Sequence, residues 1–83
     1  MIRYALTTFA GVVEVRLDIP AAGDYGTLTF DGPEEALPHV RADVTSSYGS
    51  AGRLMSGAVS ADDLRFAMAS PYLRSYAPKL LEG

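Results

Sequence analysis

From Val13 to Ile19 the chain alternates strictly between apolar and charged side chains: Val-Glu-Val-Arg-Leu-Asp-Ile. Successive side chains of a strand point to opposite faces, so this run predicts a strand with one face buried and the other in water. Such a strand needs a partner strand beside it and a covering layer on its apolar side. Ile2 to Phe9 is rich in β-formers and is placed to pair with it across a turn near Ala10-Gly11. Pro20 to Asp24 reads as a loop, because proline ends a ladder and Gly-Asp suits a turn. Tyr25 to Phe30 reads as a third strand, with Leu28 and Phe30 on one face and Thr27 and Thr29 on the other.

Asp31-Gly32-Pro33-Glu34-Glu35 carries the marks of a helix start: a capping residue, a proline for the first turn and acids for the positive end of the dipole. The segment after it has two readings. Leu37, Val40, Val44 and Tyr48 fall near helical spacing, which favours a helix over about 33–47. The same stretch also alternates as a strand would, and Pro38 distorts a helix begun at Pro33. Gly49 to Gly52 is a connector, and Arg53 to Val59 reads as a short strand interrupted at Gly57. Ser60 is a good N-cap, Asp63 stands at the third helical position, and Val59 and Leu64 occupy the hydrophobic-staple positions. Ser70-Pro71 starts a further short helix that stops before Pro78, with Leu80 and Leu81 forming a last turn.

The expected fold is therefore α+β and a single domain over 1–83. It has a small antiparallel sheet (strands about 2–9, 12–19, 25–30 and 53–59), the middle helix and two short C-terminal helices (61–69 and 71–77).

Composition narrows the chemistry. The 83 residues include no cysteine and one histidine, with ten acidic and seven basic side chains for a net charge of −3. Missing cysteines remove disulfides, thiolate catalysis and the usual structural zinc sites, and no cofactor or metal is expected. The lack of Trp, Asn and Gln beside twelve Ala and eight Gly fits a GC-rich bacterial or phage genome. A domain of this size buries only about 60–65% of its unfolded surface, so a homodimer is a reasonable expectation. The ten uncharged residues Tyr4–Val13 fit a first strand better than a signal peptide, and nothing approaches the ~20 apolar residues of a membrane span. A cytoplasmic, non-membrane protein is expected.

No catalytic constellation emerges. His39 stands beside Pro38 and Val40, which suits a helix end better than a general base. The pairs Glu34-Glu35 and Asp62-Asp63 lie at predicted helix starts, where negative charge is favoured anyway. The small-residue stretch Ser46 to Arg53 lacks the G-K-[ST] ending of a phosphate loop. Its Gly49-x-x-Gly52 matches the four-residue clamp of KH-type RNA binders, but without the basic residues that clamp carries.

Charge is divided along the chain. Residues 1–44 hold seven acidic and three basic side chains, and residues 45–83 hold three acidic and four basic. The basic part interleaves with aromatics: Arg65-Phe66, Tyr72, Arg74, Tyr76, Lys79. Phe66 and Tyr72 are expected to pack inward, with Arg65 and Arg74 facing solvent. Arg53, Arg65, Arg74, Tyr76 and Lys79 are the candidate partner-binding residues, because Arg and Tyr concentrate at interface centres. Glu14, Asp18, Asp24, Asp31, Glu34 and Glu35 form a candidate acidic face. The expected function is a small non-enzymatic protein–protein interaction module, of the kind a phage or mobile element uses to inhibit a larger host protein machine. The alternative is a nucleic-acid-binding accessory protein working through the basic, aromatic C-terminal helices. A third reading, an enzyme or small-ligand site, requires a composite site across a dimer.

Overall fold

The structure, a computed structural model, describes residues 1–48 and 59–83. Its fold is α+β: a four-stranded antiparallel sheet with helices on one face. The strands are β1 (Ile2–Thr8), β2 (Gly11–Asp18), β3 (Thr27–Asp31) and β4 (Lys79–Glu82), in the order β3-β2-β1-β4. The helical layer is α1 (Leu37–Tyr48), α2 (Ala61–Met68) and a 3₁₀ helix, Pro71–Tyr76.

The alternation of β2 is realised as expected. Val13, Val15 and Leu17 are buried, while Glu14 and Arg16 lie on the opposite face. β1 pairs with it from Ile2↔Leu17 to Thr8↔Gly11, which puts Ile2, Tyr4 and Leu6 on the apolar side. The two-residue loop Phe9-Ala10 closes the hairpin, and Gly11 takes a φ of 127°, a conformation that L side chains rarely adopt. The hydroxyl of Thr8 accepts from Ala10 N and donates to the Gly11 carbonyl, which satisfies the loop locally. β3 starts two residues later than expected, because Gly26 is held instead in a bridge to Val59 by N–H···O bonds of 2.8 and 3.0 Å. Val59 is the described end of the expected 53–59 strand; residues 53–58 lie outside the described residues.

Residues 37–48 are helical, and the position of Pro38 explains how. The first helical residue is Leu37, after a turn in which Ala36 N and Leu37 N both donate to the Pro33 carbonyl. Pro38 therefore falls in the first turn, where its missing N–H has no intrahelical acceptor to satisfy. The expected start at residue 33 is corrected by four residues. Val40 and Val44 then face the sheet, fully buried.

α2 carries the full capping box: Asp63 N donates to Ser60 Oγ at 3.1 Å, and Ser60 N donates to an Asp63 carboxylate oxygen at 3.3 Å. Val59 and Leu64 are both buried in the same core. Ser60→Ala should lower stability by about 1 kcal/mol. A thermal melt should show this as a midpoint roughly 4–8 °C lower.

The last turn expected at Leu80-Leu81 is instead strand β4. Ala77 takes a left-handed conformation (φ 44°) that ends the 3₁₀ helix, and Pro78 disfavours a new helical turn. The chain therefore extends along the free edge of β1, pairing Lys79 with Ala5, Leu80 with Tyr4 and Glu82 with Arg3. No helix among the described residues is long and apolar enough to cross a membrane.

Candidate functional site

The sheet has two unlike faces. Its helix-covered face is apolar, whereas its open face carries Arg3, Glu14, Arg16, Lys79 and Glu82 on neighbouring strands. Arg3 binds Glu14 at 2.5 Å and Glu82 at 3.2 Å, so one guanidinium ties β2, β1 and β4 together. These hydrogen bonds hold the Arg3 proton more tightly than usual and pull the Glu14 carboxyl below the ordinary carboxylate range. Arg16 Nε is buried without a hydrogen-bond partner among the described residues.

The expected acidic residues are divided by this arrangement. Glu14 lies across from Asp31, and Glu34 and Glu35 follow in the turn before α1. Asp18 pairs with Thr27 at the other end of β2, and Asp24 belongs to the adjoining loop. Glu14 is also engaged by Arg3, so the six carboxylates do not make one continuous free surface. His39, exposed in the first turn of α1, stands edge-on to the Phe9 ring at 5.6 Å. Asp62 and Asp63 are taken up by Arg65 and the capping box, respectively. Among the described residues no three His, Cys, Asp or Glu side chains group as metal ligands would.

The expected basic residues are also spread over different elements. Arg65 is exposed on α2 and Arg74 on the 3₁₀ helix, whereas Lys79 lies on β4 rather than on a helix. Arg53 lies outside the described residues, as does the Gly49-x-x-Gly52 motif. Tyr76 is partly buried and donates its hydroxyl to Asp43 of α1, which pins the 3₁₀ helix to the helix layer. Burial, reinforced by the hydrogen bond to Asp43, pushes the Tyr76 phenol up to about 12.

That shift has a defined sign. The neutral phenol stabilises the fold fully below the ordinary tyrosine range near 10, and the contribution is lost as pH rises from there through about 12. Wild-type stability should therefore fall across this window, and Tyr76→Phe should remove that part of the slope in denaturant titrations.

One feature of the helix layer reverses an expectation. Phe66 and Tyr72, expected to pack inward, are 70% and 62% exposed. On α2 the buried residues are Leu64, Ala67 and Met68, and that spacing turns Phe66 to the opposite side. On the 3₁₀ helix the buried residue is Leu73, with Tyr76 one turn on, which leaves Tyr72 a third of a turn away.

Both aromatics line one open groove of about 420 Å³. Ser46 and Ser47 at the end of α1 form one wall, and Ala69, Ser70 and Pro71 also line it. Among the described residues its lining includes no carboxylate, imidazole or amine. Two of its hydroxyls are already committed, Ser47 donating to the Asp43 carbonyl and Ser70 accepting from Tyr72 N. Arg65 precedes Ala69 by one α-helical turn, and Arg74 follows Pro71 by one 3₁₀ turn, so each cation sits one turn along from a lining residue.

No protein-family model, no curated protein and no solved structure matches this chain.

Proposed function

We propose that the protein is a non-enzymatic protein-binding module whose contact surface is the groove between α2 and the 3₁₀ helix. One observation carries this reading: two large aromatics, Phe66 and Tyr72, stand exposed on the same apolar groove while the core closes without them. Aromatic side chains clustered in a shallow, mostly apolar depression are the usual anchors of protein interfaces. The hydroxyls of Ser47 and Ser70 are used within the fold, and the described lining is mostly apolar, which supports recognition of a partner's apolar segment. Arg65 and Arg74 at the margin favour a partner segment that is apolar at its centre and acidic at its ends. Binding of this kind would let the module occupy a site on a larger protein and block it.

The test is capture from a lysate of cells that express the protein, comparing wild type with Phe66→Ala and Tyr72→Ala. Alanine is the better helix former and both rings are exposed, so the fold should be retained. Loss of an interface anchor should weaken partner binding by roughly tenfold or more. Equal capture by wild type and both variants would overturn the reading. A gel shift at about 50 mM salt, where phosphate contacts are strong, separates the nucleic-acid alternative. Binding there that is lost on Arg65→Ala and Arg74→Ala would replace the protein partner by a nucleic acid.

A further inference from the structure

We infer that β4 is a self-complementary edge through which two copies of this chain pair into one continuous sheet. This surface lies on the sheet rather than in the groove of the helix layer, so it can fail or hold independently of the proposed function.

β4 is at the end of the strand order, and among the described residues no strand lies on its outer side. Its backbone groups on that side are a template for another strand. The edge is also apolar where it is free, with Leu80 54% and Leu81 45% exposed.

The irregularity of β4 supplies the specificity. In a regular strand, residues 79 and 82 would point to opposite faces. Here the register shifts between Tyr4 and Arg3, so that Leu80 pairs with Tyr4, Glu82 pairs with Arg3, and Leu81 is the extra residue. Lys79, opposite Ala5, and Glu82, opposite Arg3, therefore share the open face, one position to either side of Leu80. Antiparallel pairing about a twofold axis through Leu80 brings Leu80 against its copy on the helix side. The same axis sets Lys79 of each chain against Glu82 of the other on the open side. The interface is isologous, with two opposite-charge cross-strand pairs flanking one apolar contact. β3, the other edge, has no such match: its ends are Thr27 and Asp31. With one short strand per protomer the contact is small, so the dimer is weak and concentration-dependent.

Sedimentation over a dilution series tests this. Wild type should pass from dimer to monomer on dilution, and the dimer should weaken as salt rises. Lys79→Glu places Glu against Glu, and Glu82→Lys places Lys against Lys. Each variant alone should dimerise about tenfold or more weakly than wild type. Mixed together, they should form a heterodimer, since every cross-strand pair is then opposite in charge, and the double variant Lys79→Glu/Glu82→Lys should dimerise again. Thermal melts confirm that each variant is folded; Lys79→Glu leaves the Arg3–Glu82 pair intact. A wild type that is monomeric throughout, or a dimer that both single variants retain, would overturn the inference.

Discussion

Gly26→Ala should lower stability by about 3 kcal/mol, enough to bring the thermal midpoint down by roughly 12–24 °C. A Cβ on this residue would lie 2.0 Å from the Asp18 carbonyl oxygen, 2.6 Å from its carbon and 2.9 Å from Ile19 Cα. All three contacts are backbone, so no side-chain rotation relieves them. Either the end of β2 moves, or residue 26 withdraws and loses both hydrogen bonds to Val59. Val59 leads directly into the capped start of α2, so the damage passes from the sheet to the helix layer. Equilibrium denaturation measures the effect. A loss below about 1 kcal/mol would mean that β2 and the 26–59 bridge are not packed as tightly as described.

Leu73→Ala should cost about 2–4 kcal/mol. Leu73 is fully buried and is the residue that fastens the 3₁₀ helix to the core. A six-residue 3₁₀ helix has little stability of its own, because its hydrogen-bond geometry is poor. Its position rests on Leu73, on the Tyr76–Asp43 hydrogen bond and on the Ser70 cap. Removing the anchor should therefore loosen Pro71 and Tyr72 as well, and weaken partner binding even though Leu73 itself does not line the groove. Urea titration gives the stability change from the shift in midpoint. Loss of stability with partner affinity unchanged would separate the groove from the 3₁₀ helix, against the geometry described.

The parts of this fold that are legible in the sequence are those set by local periodicity. The Val13–Ile19 alternation needs one buried face, and Ser60-x-x-Asp63 supplies two reciprocal hydrogen bonds within four residues. Neither depends on distant chain. Pro38 is ambiguous in the sequence, because its effect turns on where the helix begins: four residues decide whether it disrupts the helix or sits in its first turn. β4 is not legible locally, because Lys-Leu-Leu-Glu has no alternation; its strand character comes from the free edge of β1, some seventy-five residues earlier in the chain. The groove is tertiary in the same sense, since Ser46 and Ser47 meet residues 66–72 only after folding. Part of it was nevertheless open to inspection: the Leu64, Ala67, Met68 spacing already turns Phe66 outward. The divided charge, by contrast, describes the sequence better than the surface, because Arg3 draws Glu14 and Glu82 into one cluster on the open sheet face.

The most direct measurement for the central claim is site-specific photo-crosslinking. Benzoylphenylalanine replaces Phe66 in one sample and Phe9 in another; both rings are exposed, but Phe9 lies on the β1–β2 hairpin rather than in the groove. Illumination in a lysate of expressing cells should join the protein to a single partner polypeptide from position 66 and leave position 9 without that product. The same adduct in equal yield from both positions, or from position 9 alone, would contradict the groove as the binding surface.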